Sequence, residues 1–165
     1  MQNIDALEGE ENRSMTTYRE RLWPSAWLYI CTVLVIPASL LVFLPINRAA
    51  GPIVGIALYA GVIACLLIAS PVVAVTDDAF HAGRARLPLG IVGEVTAFEG
   101  EAAREQRGPR LDARAWLMIR GWVSPVLKVE LTDPDDPAPY WIVSTRHPDA
   151  VAAAIESARS RRAKA

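Results

Sequence analysis

The chain has 165 residues, of which 52% are hydrophobic and 21% charged, and a formal net charge of −1 at pH 7. That balance lacks the concentrated basic surface nucleic-acid binding requires, so no nucleic acid is expected as a partner. Arginine outnumbers lysine, and alanine and proline are abundant, a composition that suits a high-GC bacterial genome.

Residues 1–21 read as a cytoplasmic leader, partly disordered and acidic in its first part (Asp5, Glu8, Glu10, Glu11); Met15, followed by TTYRERLWPSAW, offers a second translation start. Between Arg21 and Arg48, and again between Arg48 and Asp77, there is no Asp, Glu, Lys, Arg or His. Each stretch exceeds the roughly 20 apolar residues that a helix needs to cross a hydrocarbon core of about 30 Å. Because lipid offers no hydrogen bonds to the backbone, residues 27–46 and 52–73 are expected as helices. The first is too long for the apolar region of a signal peptide. The connector of Asn47, Arg48, Ala49, Ala50 and Gly51 has room only for a tight turn, so residues 22–73 form a two-helix transmembrane hairpin. Pro37 should bend the first helix, whereas Pro24, Pro45, Pro52 and Pro71 mark helix ends. Trp23, Trp27 and Tyr29 suit a headgroup-level anchor.

Arg13, Arg19 and Arg21 precede the hairpin, Arg84 and Arg86 follow it, and its loop holds only Arg48. Positive flanks resist translocation, so both termini are expected in the cytoplasm of a bacterial plasma membrane. Gly51, Gly55, Ala57, Gly61, Cys65 and Ala69 give the second helix a face of small residues that admits close helix packing. The expected use of this face is packing on the first helix, with a homodimer as the sharper alternative. Cys31 and Cys65 are expected as small apolar residues. No charge lies at mid-membrane, so an ion path is disfavoured.

From residue 74 to 158 short apolar runs alternate with turn residues, the pattern of a cytoplasmic antiparallel β-rich domain. Strands are expected at 72–76, 80–82, 85–87 around Gly83, 91–98, 113–123, 126–132 and 140–145, with a short helical turn at 101–106. In 113–123 Ala113, Ala115, Leu117, Ile119, Gly121 and Val123 are expected on one face, and Arg114, Trp116, Met118, Arg120 and Trp122 on the opposite one. Pro148 and Asp149 suit the first turn of a closing helix that buries Val151, Ala152 and Ile155. Residues 159–165 read as a basic disordered tail. The fold class is thus membrane α+β.

This element order resembles a pleckstrin-homology-like domain. The strings TYRERLWPSAWLY, GRARLPL, RGPRLDARAWL and DPDDPAPYWIVSTRHP resemble an actinobacterial membrane family catalogued as domain of unknown function 3093. That resemblance runs from about residue 17 to 155. It implies lineage and membrane location, with no activity or site residues attached.

Motif chemistry is sparse. GxSxG, P-loop, GxGxxG and HExxH patterns are absent from the sequence. Ser144, Thr145 and His147 adjoin in STRHP but lack an orienting acid, which a triad needs. His81 and His147 are expected at surface or turn positions. The aspartates of DPDDPAP lack the glycine and distal glutamate of a calcium loop, so neither metal nor cofactor is expected. Arg104, Arg107, Arg110, Arg114, Trp116, Arg120 and Trp122 form a basic and aromatic group suited to an anionic lipid headgroup or a protein partner, although Glu101, Glu105 and Asp112 interleave with it. The expected function is a non-enzymatic membrane protein that presents its β domain to such a partner. One alternative is an accessory subunit acting through helix packing; a motif-less membrane enzyme is the distant one.

Overall fold

The computed structural model describes residues 16–43, 45 and 49–164. Its contacts divide them into two units. One runs over Trp23–Pro71, and the other joins the described residues before Trp23 to those from Val72 onward.

The apolar unit holds α1 (Ala26–Val33), α2 (Val35–Phe43) and α3 (Ala50–Ile68). Taken as Ala26–Phe43 and Ala50–Ile68, its two helical stretches have mean hydropathies of 2.2 and 2.3 and are long and apolar enough to cross a membrane. Only 6% and 11% of them is buried, so these are not core helices of a water-soluble domain. The break between α1 and α2 falls at Leu34, where Pro37 has no N–H to give the Val33 carbonyl. Leu34 N–H turns instead to the Cys31 carbonyl, and the α-helical ladder resumes with Ala38 N–H on the Leu34 carbonyl, both at 3.2 Å. The second helix stops sooner than expected. Pro71 pushes Ser70 out of helical geometry, and Ser70 Oγ closes the end by donating to the Leu66 carbonyl at 2.8 Å. The connector expected around Arg48 lies partly outside the described residues; Ala50 and Gly51 already belong to α3.

The second unit contains two four-stranded sheets. In the first, β1 (Tyr18–Arg21), β2 (Val72–Val75), β3 (Ala79–Ala82) and β4 (Ala85–Pro88) lie in that order, every pair antiparallel. Strand β1 lies in what the sequence presented as leader. Its register sets Arg21 opposite Val72 and Tyr18 opposite Val75, so the apolar unit is an insertion between two neighbouring strands. Gly83 turns β3 into β4 with φ of 64°, a conformation that favours glycine.

The second sheet has the order β5 (Val92–Phe98), β7 (Val126–Leu131), β8 (Tyr140–Ser144), β6 (Trp116–Met118). It is mixed, because β6 runs parallel to β8, while its other two pairs are antiparallel as expected. The long strand expected over 113–123 shrinks to three residues. Met118 is 5% exposed and Leu117 43%, because Trp116 stacks on Trp141 with ring centroids 4.0 Å apart and fixes which side faces the core. Beyond it, Val123 N–H bonds the Arg120 carbonyl and ends the strand in a turn at Gly121 and Trp122.

Helix α4 (Gly100–Arg107) covers the outer face of the second sheet, where Ala103 packs with Val126, Tyr140 and Ile142. Helix α5 (Pro148–Arg162) buries Val151, Ala154, Ile155 and Ala158 against both sheets, with Leu22, Val73, Phe80, Leu87, Val129 and Val143 in the same core. The basic tail expected to be disordered is helical to Arg162, and Arg161 pairs with Asp77 at 2.9 Å.

Candidate functional site

The basic and aromatic group is spread over α4, the loop after it, β6 and the turn that precedes β7. Arg104 faces Glu101 at 3.5 Å, Arg110 faces Glu105 at 3.3 Å, and Arg114 faces Asp112 at 3.2 Å. Arg107 spends its Nε–H on the Ala103 carbonyl at 3.2 Å. The Arg114 guanidinium lowers the Asp112 pKa through their side-chain hydrogen bond. These four arginines belong to α4 and the loop after it, which is pinned by the Tyr140 hydroxyl accepting from Asp112 N–H at 2.7 Å. Trp116 is engaged with Trp141. Arg120 and Trp122 lie elsewhere, in the turn between β6 and β7. Trp122 Nε1–H donates to the carbonyl of Leu22, the residue just before the apolar unit, at 3.2 Å.

Sequence reasoning missed Glu20. Along β1, Tyr18 and Glu20 turn inward while Arg19 and Arg21 are exposed, and Leu22 continues the inward series with no exposure. The Glu20 side chain is 10% exposed. Its carboxylate accepts from Thr145 Oγ1 at 2.6 Å, from the Tyr18 hydroxyl at 3.2 Å and from Arg146 N–H at 3.2 Å. Burial, reinforced by the adjacent Glu20 carboxylate, pushes the Tyr18 phenol up to about 12. The visible signal was the period of two in Tyr18, Glu20 and Leu22, which the leader reading passed over.

Glu20 is also the acid that STRHP lacked, but the geometry is not a relay. Thr145 donates straight to the carboxylate, and as a residue with 0% exposure it is closed to a substrate. His147 Nδ1 lies 3.9 Å from Glu20 Oε1, and the His147 ring is mostly exposed. Ser144 accepts from Arg120 N–H at 3.0 Å. The arrangement therefore clamps β1 to the β8–α5 loop. His81 sits mid-strand in β3, half-buried, opposite Ala74 and Arg86. Among the described residues no group of three or more His, Cys, Asp or Glu could hold a metal ion.

The small residues of α3 fall on two faces. Gly51 and Gly55 are buried, and a Cβ on Gly55 would meet Ser39 Oγ of the preceding helix at 2.7 Å. Ala57, Gly61, Cys65 and Ala69 are exposed, and a Cβ on Gly61 would meet nothing within 4 Å. Both cysteines are free thiols.

No curated protein and no solved structure matches the chain. A family model matches residues 17–155, a stretch that runs from β1 through the apolar insertion and both sheets into α5. The chain therefore belongs to the family described as Protein of unknown function (DUF3093).

Proposed function

We propose that this protein is a non-enzymatic, membrane-anchored module whose inserted hairpin holds the β unit at the cytoplasmic face of a bacterial plasma membrane, where it presents a binding surface. The observation that carries this reading is the insertion itself. Strands β1 and β2 are hydrogen-bonded neighbours, and only Leu22 to Ser25 and Ala69 to Pro71 separate them from the apolar helices. A carrier fold interrupted in this way is tethered at two adjacent points, which suits a module kept at the bilayer better than one on a flexible leash. The exposed apolar side chains of α1 to α3, among them Leu41 at 80% and Ile68 at 85%, support lipid as their surroundings. The two sheets closed by a C-terminal helix support the pleckstrin-homology-like part of the reading, from which the parallel strand β6 departs.

The test is topological. With Cys31 and Cys65 replaced by serine, a cysteine at Ala49 should react with an impermeant maleimide on intact cells, and one at Asp135 only after lysis. The reverse pattern overturns the orientation. Release of the chain by alkaline carbonate overturns the anchor.

A second reading, an accessory subunit acting through helix packing, is favoured by the exposed face of Ala57, Gly61, Cys65 and Ala69. Gly61→Leu leaves the hairpin intact on this reading but abolishes crosslinked complexes.

A further inference from the structure

The break between α1 and α2 leaves a polar group open in the middle of an apolar stretch. Pro37 has no N–H for the Val33 carbonyl, Leu34 N–H goes back to the Cys31 carbonyl, and the ladder restarts with Ala38 N–H on the Leu34 carbonyl. Among the described residues no donor is bonded to the Val33 carbonyl across this break. Val33 and Leu34 are 46% and 67% exposed, and Pro37 is exposed beside them, so the open carbonyl lies on an outward side of the helix. In hydrocarbon an unsatisfied carbonyl is costly, because no water is there to serve it.

An unused donor sits at the same level. Of the hydroxyls within α1 to α3, Thr32 donates to the Tyr29 carbonyl at 2.7 Å, and Ser39 donates to the carbonyls of Val35 and Ile36 at 2.8 and 2.9 Å. Tyr29 belongs to the headgroup end. Tyr59, half-buried in the middle of α3, has a hydroxyl bonded to no group among the described residues. The helices touch where a Cβ on Gly55 would lie 3.7 Å from the Cα and the carbonyl oxygen of Ile36. From that contact Tyr59 lies four residues onward in α3 and Val33 three residues back in the first helix, about 6 Å and about 4.5 Å at the helical rise. The short link from Phe43 to Ala50 makes the helices antiparallel, so both displacements run the same way. Donor and acceptor therefore share one depth.

We infer that two copies of this chain pair in the membrane about a two-fold axis along the membrane normal, the Tyr59 hydroxyl of each donating to the Val33 carbonyl of the other. Rotation about that axis keeps every residue at its own depth, so groups that share a level meet, and the two-fold makes the bond twice. The inference rests on the membrane-anchor reading and names a second copy as the partner of the hairpin. It uses the outward side of the helix break, not the exposed face of Ala57, Gly61 and Cys65.

Energy transfer between fluorophore-labelled full-length chains in phosphatidylcholine vesicles, followed as lipid dilutes the protein, tests it. The wild type should dimerise. Tyr59→Phe should weaken the dimer about eight-fold, the effect of losing two hydrogen bonds of the strength usual between membrane helices. Pro37→Ala gives the Val33 carbonyl a donor in its own helix and should weaken the dimer as much. In that background Tyr59→Phe should change nothing further, and Gly61→Leu alone should leave the dimer at wild-type strength. A monomeric wild type overturns the inference, as does an undiminished dimer in Tyr59→Phe or additive losses in the double variant. A weakened dimer in Gly61→Leu also overturns it, by moving the contact to the other face. So does a lowered melting temperature for Tyr59→Phe in detergent dilute enough to keep the wild type monomeric, which places the hydroxyl's bond inside one chain. If the chain is instead released by alkaline carbonate, the anchor reading has failed before pairing is at issue.

Discussion

At Glu20 a carboxylate with 10% exposure replaces its water with three protein donors. Such a group contributes to stability only while those donors stay in place. Glu20→Ala leaves Thr145 Oγ1–H and Arg146 N–H without their acceptor, and unfolding should become easier by about 1–3 kcal/mol in denaturant titration. Tyr18 supplies a spectroscopic signature. Its pKa is raised in the folded state to about 12, so the stability it contributes is complete below the ordinary phenol value near 10 and is lost as pH rises from there through about 12. Ultraviolet titration should show one tyrosine ionising late. Tyr18→Phe should remove that step, and Glu20→Gln should move it to lower pH, because a neutral amide no longer opposes the phenolate. An unmoved step in Glu20→Gln would assign the whole effect to burial.

Among the elements, the helices α1 to α3 were legible because uncharged length and hydropathy are properties of sequence alone. Strand β1 was not, because four residues beside the apolar stretch carry three charges, and only pairing with β2, some fifty positions later in the chain, makes them a strand. The alternation in 113–123 separates two faces but does not name the buried one, and the stack of Trp116 on Trp141 decides that. The small-residue face of α3 also needed three dimensions, since intervals of four do not distinguish a seam inside the hairpin from one outside it. The split makes a prediction. Gly55→Leu drives a side chain into Ser39 and should lower the melting temperature of the detergent-solubilised protein, whereas Gly61→Leu, with open space around it, should leave melting unchanged. Equal losses would mean that both residues pack within one chain.

At the scale of the whole molecule, one β fold is interrupted by the apolar helical unit, which is inserted between β1 and β2. Leu22, fully buried, belongs to the same core as Val73, Phe80 and Ile155, so the chain segment before the hairpin is structural. Leu22→Ala should therefore cost about 2–5 kcal/mol, measured by thermal or chemical denaturation of the purified protein. The candidate site was only half legible: Thr145 and His147 were singled out from their residue types, but Glu20 joins them only through the pairing of β1 with β2 and its bonds to Thr145 and Arg146.

The most direct measurement removes the insertion. A chain in which Leu22 is joined to Val72 through Asn-Gly keeps β1 and β2 in their antiparallel register across a tight loop, and it should be a water-soluble monomer with dispersed amide resonances and cooperative unfolding. A chain beginning at Val72, without β1 and Leu22, should lack both properties. If the joined chain is no better folded than the one beginning at Val72, then β1 is not part of the β fold and the account of an interrupted domain is wrong.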